Sequence, residues 1–537
     1  MSYYLGFDAS TQSLTATLIN VDAGNSEILL ETSMAYDAEF PSYGTDHGVL
    51  RGADPGVVAA PPLMWVDALD RMMARLVELQ PQAMSQLSAI SGSAQQHGSV
   101  YLNERWQQAL DGARSAAPLV TELADVFSRP LAPVWMDSST SRECAEIESA
   151  VGGEAALARN TGSRAFERFT GPQIRSFFKK NPEAYRRTAR IHLVSSFHAS
   201  LLAGEDAPID VGDGSGMNLM DLDTRSWWPT ALDATAPDLA RRLPVVRPSW
   251  TPVGTLAPYW RNRYGLPAAR VVVWSGDNPC SLIGTGLVRE GRLGISLGTS
   301  DTVCGMMRTL RIHQAGIGYV SASPAGDYMG TTVFKNGSLA RERVRDQYGM
   351  NWAAFSEALR STPPGNHGAM MLPWFDPEIT PHVLTPGVRR VSLDPGDARA
   401  NVRAIIEAQM MAMANHTKWM VGAGSHDPAS TASVIRAMGG ASGNREVLQV
   451  MADVFGAEVI RSRAGNAAAL GAAMRAWHGD RAAVNDPIAW DDVVEGFTDP
   501  DPGWRIEPRP KAVAVYADLR RRYADAERTA LESRDFT

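Results

Sequence analysis

Short apolar runs that break off into small polar residues recur along this chain. Val271–Trp274 ends at Gly276-Asp277-Asn278, and Leu293–Leu297 ends at Gly298-Thr299-Ser300-Asp301. An apolar run of this length bounded by turn residues predicts a buried strand. Strands that empty into hydrogen-bonding residues are where α/β proteins place ligand contacts. The chain opens in the same way: Tyr3–Phe7, a polar turn from Asp8 to Ser13, then Leu14–Asn20 read as a hairpin. Leu87–Ser91 runs into Ser93-Ala94-Gln95-Gln96-His97, and Ala432–Met438 runs into Gly439–Asn444.

Between these strands the apolar period changes to that of a helix. Trp65, Leu69, Met72, Met73 and Leu76 repeat at helical spacing and predict a helix over Leu63–Gln80, with its methionines in the core. Helices are also predicted at Gln173–Lys180, Ser195–Leu202, Asn401–Val421, Arg445–Phe455, Ala467–Trp477 and Ala512–Leu531. Residues 36–60 and 361–400 are rich in Gly and Pro and read as irregular, and residues 103–133 read as a surface insertion. Glycine-flanked polar turns follow strands in both halves, which suggests two similar lobes with a cleft between them.

Size and composition narrow the function classes. With 537 residues, 44% hydrophobic and 20% charged, the chain can build two or more cores. A net charge of −8 disfavours nucleic-acid or anionic-membrane binding. Three scattered cysteines fit a reducing compartment rather than a disulfide frame or zinc cluster. No signal-like segment and no run of about 18–20 apolar residues is present, so a cytoplasmic protein is expected.

The strand-end turns carry the candidate chemistry. Backbone N–H groups and hydroxyls in the Asp8–Ser13 turn could hold phosphate, with Asp8 near a magnesium ion. His97 at a strand end is a candidate contact for a polyhydroxy ligand, although a histidine there is also an ordinary turn residue. Asp210 and Asp213 flank a glycine-rich turn that lets Asp213 approach a ligand closely. Gly439–Asn444 ahead of a helix is suited to an anion or nucleotide. Gly-Lys never occurs, so a P-loop is excluded. No GxGxxG follows an early strand, and HExxH and a nucleophile-elbow GxSxG are absent. The remaining inventory suits a polyol together with a nucleotide phosphate and magnesium.

The ordered set Gly6-Phe7-Asp8-Ala-Ser-Thr-Gln12, Gly92–Gly98, Trp135–Thr140, Gly162–Gly171, Asp210–Asn218, Gly276–Pro279, Ser296–Asp301, Phe334–Ser338 and Gly439–Ser442 resembles the FGGY carbohydrate kinases nearly from end to end. The insertion after residue 103 is similar to that of the longer, eukaryote-like members. The resemblance implies an α/β, two-lobed actin-like ATPase (ribonuclease H-like) fold, with mixed β-sheets flanked by helices. It divides the chain into an N-terminal sugar-binding lobe (1–287) and a C-terminal nucleotide-binding lobe (288–537), with Pro279–Gly291 as the crossing.

It further implies transfer of the ATP γ-phosphoryl group to the 5-hydroxyl of D-xylulose, with ATP and Mg2+ required, in a monomer or homodimer. Ribulose, L-xylulose or glycerol are alternative acceptors, and a non-catalytic actin-like nucleotide switch is a reading of another class. By position, Asp213 matches the catalytic base, and His97, Arg168, Asp277 and Asn278 match sugar contacts. Thr11, Gln12, Gly298, Thr299 and Ser300 match phosphate contacts; Trp352, Gly440, Ala441 and Asn444 match the adenine side; Asp8 matches the metal position. The chain departs from the family at Gly212, where relatives carry Ser, and at Phe166, where they carry Tyr.

Overall fold

The computed structural model describes residues 2–22, 25–313, 316–421, 432–462 and 465–533. The chain forms two compact units. The first comprises Met1–Val288, Ser321–Tyr328 and Ala464–Thr498; the second comprises Arg289–Val320, Met329–Arg463 and Asp499–Thr537.

The first unit is built on a mixed sheet. Strands β1 (Ser2–Ala9), β2 (Ser13–Asp22) and β3 (Asn25–Ala35) form an antiparallel meander. Helix α1 (Pro62–Leu79) follows, with Trp65, Leu69, Met72, Met73 and Leu76 all buried as their spacing predicts. Strand β4 (Leu87–Ala94) then pairs parallel to β1, placing Asp8 opposite Ser93. Helices α2 (Thr170–Lys180), α3 (Val194–Ala203) and the single turn α4 (Val211–Gly214) precede β5 (Pro252–Thr255), β6 (Arg270–Val272) and β7 (Ser275–Gly276). The sheet order is β5-β6-β4-β1-β2-β3, with β7 also parallel to β4. A continuous core joins Leu5, Phe7, Trp65, Leu69 and Trp274.

Three expectations are refined here. The 103–133 region lies mostly at the surface, as expected, but it is anchored by Trp106, Leu119, Leu123 and Val126, which are buried in this same core. Its apolar residues are too sparse among polar ones to show a period. The first part of the expected crossing, Pro279–Gly291, is a helix, α5 (Asp277–Gly284), held within the first unit, and the chain passes to the second unit at Val288–Arg289. Residues 361–400 are not wholly irregular, since Met370–Trp374 and Gly387–Val391 pair as an antiparallel hairpin.

The second unit repeats the plan. Strands β8 (Arg292–Leu297) and β9 (Asp301–Met307) form a hairpin, followed by β10 (Tyr319–Ala322) and β11 (Tyr328–Phe334). Helices α6 (Ser338–Gln347), α7 (Trp352–Ser361) and α8 (Ala398–His416) lead to β12 (Val434–Met438), which lies parallel to β8. Trp352 therefore begins a helix of its own. Helix α9 (Arg445–Phe455) and strand β13 (Glu458–Ser462) continue the alternation.

Helix α10 (Ala467–Ala483) returns to the first unit, while β14 (Pro500–Ile506) and α11 (Pro510–Glu532) complete the second. The second sheet runs β10-β11-β9-β8-β12-β13-β14. In both sheets a hairpin's first strand is flanked by a parallel neighbour, so two turns emerge side by side at one strand end.

Helix α10 packs on α5 at backbone distance. A Cβ on Gly471 would lie 1.9 Å from the Cys280 carbonyl oxygen, and one on Gly284 would lie 1.8 Å from that of Ala467. The small residues that the sequence shows over Ala467–Trp477 are what make this approach possible.

Candidate functional site

In the first unit the polar residues gather at the carboxyl ends of β1, β4 and β7. Parallel pairing sets Asp8 opposite Ser93 and Gly276 opposite Ala94. Asp8 is buried; its carboxylate accepts from Ser10, from Ser93 Oγ at 2.9 Å and from Asn466 Nδ2 at 3.1 Å. Thr11 Oγ1 accepts from Trp135 Nε1 at 2.8 Å and donates to Gln95 at 3.3 Å. Gln12 stands apart: it is exposed, and its tie to the fold is its backbone carbonyl, which accepts from the Tyr36 N–H.

The Asp213 carboxylate is almost wholly buried on α4. Asp210 caps that turn by accepting from the Gly212 N–H at 2.7 Å and the Asp213 N–H at 3.4 Å. Asp210 is fixed in turn by Ser275 Oγ (2.8 Å) and Ser249 Oγ (2.6 Å), with the Arg475 guanidinium 3.8 Å away. Asp213 Oδ2 accepts from Ser195 Oγ at 2.5 Å, whereas Oδ1 is buried without a hydrogen-bond partner.

Burial first, and then the neighbouring charges of Asp210 and Asp277, push the Asp213 carboxyl up to about 8 against the opposing Ser195 hydrogen bond and a weaker contact from the Gln96 side chain. A carboxylate with one oxygen anchored and the other free, titrating near neutral pH, is suited to accepting a proton. At Gly212 a Cβ would stand 2.9 Å from Asp210 Oδ1 and 3.1 Å from Ser275 Oγ, so a serine there would press on the capping carboxylate.

His97 lies beside this turn with a left-handed backbone (φ +71°) that a non-glycine residue seldom adopts. Its Nδ1 lies 2.9 Å from the Gly216 carbonyl, which can only accept, so the proton sits on Nδ1 and Nε2 is a bare acceptor. Burial, aided by the Arg168 charge, lowers the His97 pKa to about 3, so the ring is neutral. Its ring packs 4.4 Å from Phe169, and the Arg168 guanidinium lies over Phe166 (4.7 Å) and Phe169 (5.2 Å). The ring at position 166 thus supports Arg168 without a hydroxyl.

Asn278 Nδ2 donates to Gln96 Oε1 (2.8 Å) and to Asp277 Oδ1 (3.1 Å). Loss of water around Asp277, with the Asp8 charge nearby, raises its pKa to about 7. Asp8, Thr11, His97, Arg168, Asp213, Asp277 and Asn278 thus form one neighbourhood bound together through Gln95, Gln96 and Ser93.

The second unit has its own pair of turns. Gly298, Thr299 and Ser300 connect β8 to β9, and the Gly298 carbonyl accepts from the Ser338 N–H at 2.8 Å. The buried Asp301–Arg341 pair, bonded at 2.9 and 3.0 Å, braces this turn from behind. The neighbouring turn starts at Gly439 (φ +83°), where a Cβ would meet the Leu297 carbonyl at 2.6 Å. Gly440 and Ala441 follow, and Gly440 faces open space. Asn444 caps α9, with Oδ1 accepting from the Glu446 N–H at 3.0 Å, and its Nδ2 donates to Ser356 on α7. Exposed Trp352 sits one turn before Ser356, under the Arg345 guanidinium. Trp352, Ala441 and Asn444 therefore share one edge of this unit.

Sequence reasoning missed Ser195, Asn466 and Arg475, which serve Asp213, Asp8 and Asp210. Ser195 and Arg475 read only as helix positions, and nothing local marks Asn466 as a partner of Asp8. The capping role of Asp210 was missed too, although an Asp two and three residues before the N–H groups it serves is a standard helix start that could have signalled it.

Family models for the N-terminal and C-terminal domains of the FGGY family of carbohydrate kinases match residues 121–284 and 293–479. A xylulose kinase of Mus musculus is 42% identical over 540 residues, covering 98% of this chain and 94% of that protein. Xylulose kinase 2 of Arabidopsis thaliana is 40% identical, covering 89% of this chain and 87% of that protein. A solved structure of a xylulose kinase from Rhodospirillum rubrum, 20% identical, matches with a TM-score of 0.80 over 98% of each chain, a likeness of fold.

Proposed function

The chain belongs to the FGGY family of carbohydrate kinases, and we propose that it transfers the γ-phosphoryl group of ATP to the 5-hydroxyl of D-xylulose, giving D-xylulose 5-phosphate and ADP. The observation that carries the chemistry is Asp213, with Oδ2 held by Ser195 and Oδ1 buried without a partner. Asp213 takes the hydroxyl proton as the sugar oxygen attacks phosphorus; the O–P bond to the sugar forms as that to ADP breaks. Such transfers depend mainly on positioning and charge neutralisation.

His97 Nε2 accepts from one sugar hydroxyl and Arg168 donates to another oxygen, while Asp277 and Asn278 take the remaining hydroxyls. Thr11, Gln12 and the Gly298-Thr299-Ser300 turn hold phosphates; Gly440, Ala441, Asn444 and Trp352 receive the adenine. Asp8, a buried carboxylate at the end of β1, would hold a Mg2+ ion, which usually takes one or two carboxylates and the substrate phosphates. The ion would supply neutralisation of phosphate charge. Three unpaired cysteines favour a cytoplasmic setting, and no described helix is long and apolar enough to cross a membrane. A monomer or a homodimer would serve, since every residue assigned a role comes from one chain.

Two outcomes test these assignments. His97→Ala raises KM for the sugar by about tenfold or more, through the loss of a buried acceptor, and an unchanged KM returns His97 to a turn role. With Asp213 titrating near 8 and needed unprotonated, kcat/KM falls about tenfold per unit as pH drops below about 8. It steepens below about 7, where Asp277 also takes a proton. A flat profile from pH 6 to 9 contradicts the role of Asp213. Coupled-assay turnover across pentuloses, pentitols and glycerol identifies the acceptor, and faster turnover of another acceptor would replace D-xylulose.

A further inference from the structure

The first unit contains a cavity of about 310 Å3 lined by none of the residues assigned to the sugar or nucleotide. Its volume falls at the small end of the range for metabolite sites. Arg129 lines it, with its guanidinium against both the Tyr101 ring (5.1 Å) and the Phe177 ring (5.2 Å), which pack on each other at 4.7 Å. Such stacking holds the planar group rigidly. Its Nη1 is buried with no hydrogen-bond partner, an arrangement that costs free energy unless an acceptor arrives.

Two carboxylates share the lining. Asp137 is already saturated by the N–H groups of Val58 and Ser139, the Ser139 hydroxyl and the Gln173 amide, and Asp54 is exposed. Neither is paired with Arg129. At the end of α2, Lys180 brings a second cation to the same cavity.

We propose that this cavity binds a small phosphate monoester, with its phosphoryl oxygens taken by Arg129 and Lys180. Guanidinium and phosphate match in charge and in the spacing of donors and acceptors. The cavity's volume leaves room for an organic group beside the phosphate.

The test is calorimetric titration of the full chain without ATP or sugar, using ethyl phosphate and inorganic phosphate as probes. Ethyl phosphate should bind more tightly than inorganic phosphate, and Arg129→Gln should weaken it tenfold or more with the circular dichroism spectrum unchanged. Should Arg129→Gln fail to fold, exposed Lys180→Ala decides: at least threefold weaker binding supports the site and unchanged binding overturns it. Unchanged binding in folded Arg129→Gln, or equal affinity for the two probes, also overturns the proposal. No turnover is read, so this outcome is independent of the kinase assignment.

Discussion

Asp213→Asn is expected to lower kcat by about 10²–10⁴-fold while leaving KM for the sugar nearly unchanged. Asparagine can accept the Ser195 hydroxyl as Asp213 does, so the turn capped by Asp210 keeps its shape, but its amide cannot take the sugar's proton. The same substitution should raise stability. Folding lifts the Asp213 carboxyl from its ordinary value near 4 to about 8, so the folded state binds this proton more strongly than the unfolded one. Stability is therefore lost as pH rises from about 4 to about 8. Asparagine removes that loss, which amounts to a few kcal/mol at neutral pH. Thermal unfolding at pH 6 and 8 should show the wild type losing more stability between them than the variant. Near-normal turnover would remove Asp213 from the role of base.

Gly471→Ala should destabilise the protein far more than one methyl group suggests. The new Cβ would stand 1.9 Å from the Cys280 carbonyl oxygen and 2.9 Å from the Gly284 nitrogen, both backbone atoms that no rotamer change can move aside. The helices α5 and α10 would have to part. A cost of about 3 kcal/mol, at the upper end for overpacking, corresponds to a Tm lower by roughly 3–4 °C for a unit and chain of this size. Helix α10 also carries Arg475 to Asp210, and Asn466 before it reaches Asp8, so residual activity should fall as well. An unchanged melting curve would mean that this crossing is not close-packed in solution.

Strands and helices with a clean period were legible in the sequence, including the buried methionines of α1 and the small-residue helix α10. So were the strand-end turns, because glycine, hydroxyl and carboxylate residues there have few uses besides turning and binding. What escaped was whatever depends on distant parts of the chain meeting. Ser195 sits in an apolar helical run and is separated from Asp213 by 18 positions. Arg475 lies in a helix whose sequence shows only small residues and length, yet its guanidinium is fully buried beside Asp210. The buried anchors of the 103–133 region escaped because Trp106 and Leu119 bury individually, with polar neighbours that hide any period.

The return of Ala464–Thr498 to the first unit has a consequence for biosynthesis. Tyr4, Ile19, Ala89 and Ile283 share an apolar cluster with Leu470, Ala473, Met474 and Trp477. A ribosome emits the first group early and the second only near the end of translation. At 5–20 residues per second, the interval between residues 288 and 483 is roughly 10–40 s. During that time the emerging N-terminal sheet has an uncovered greasy face, open to chaperones or to aggregation. A message truncated before α10 would therefore disable the first unit as well as the second, although every residue proposed to contact the sugar had already been made.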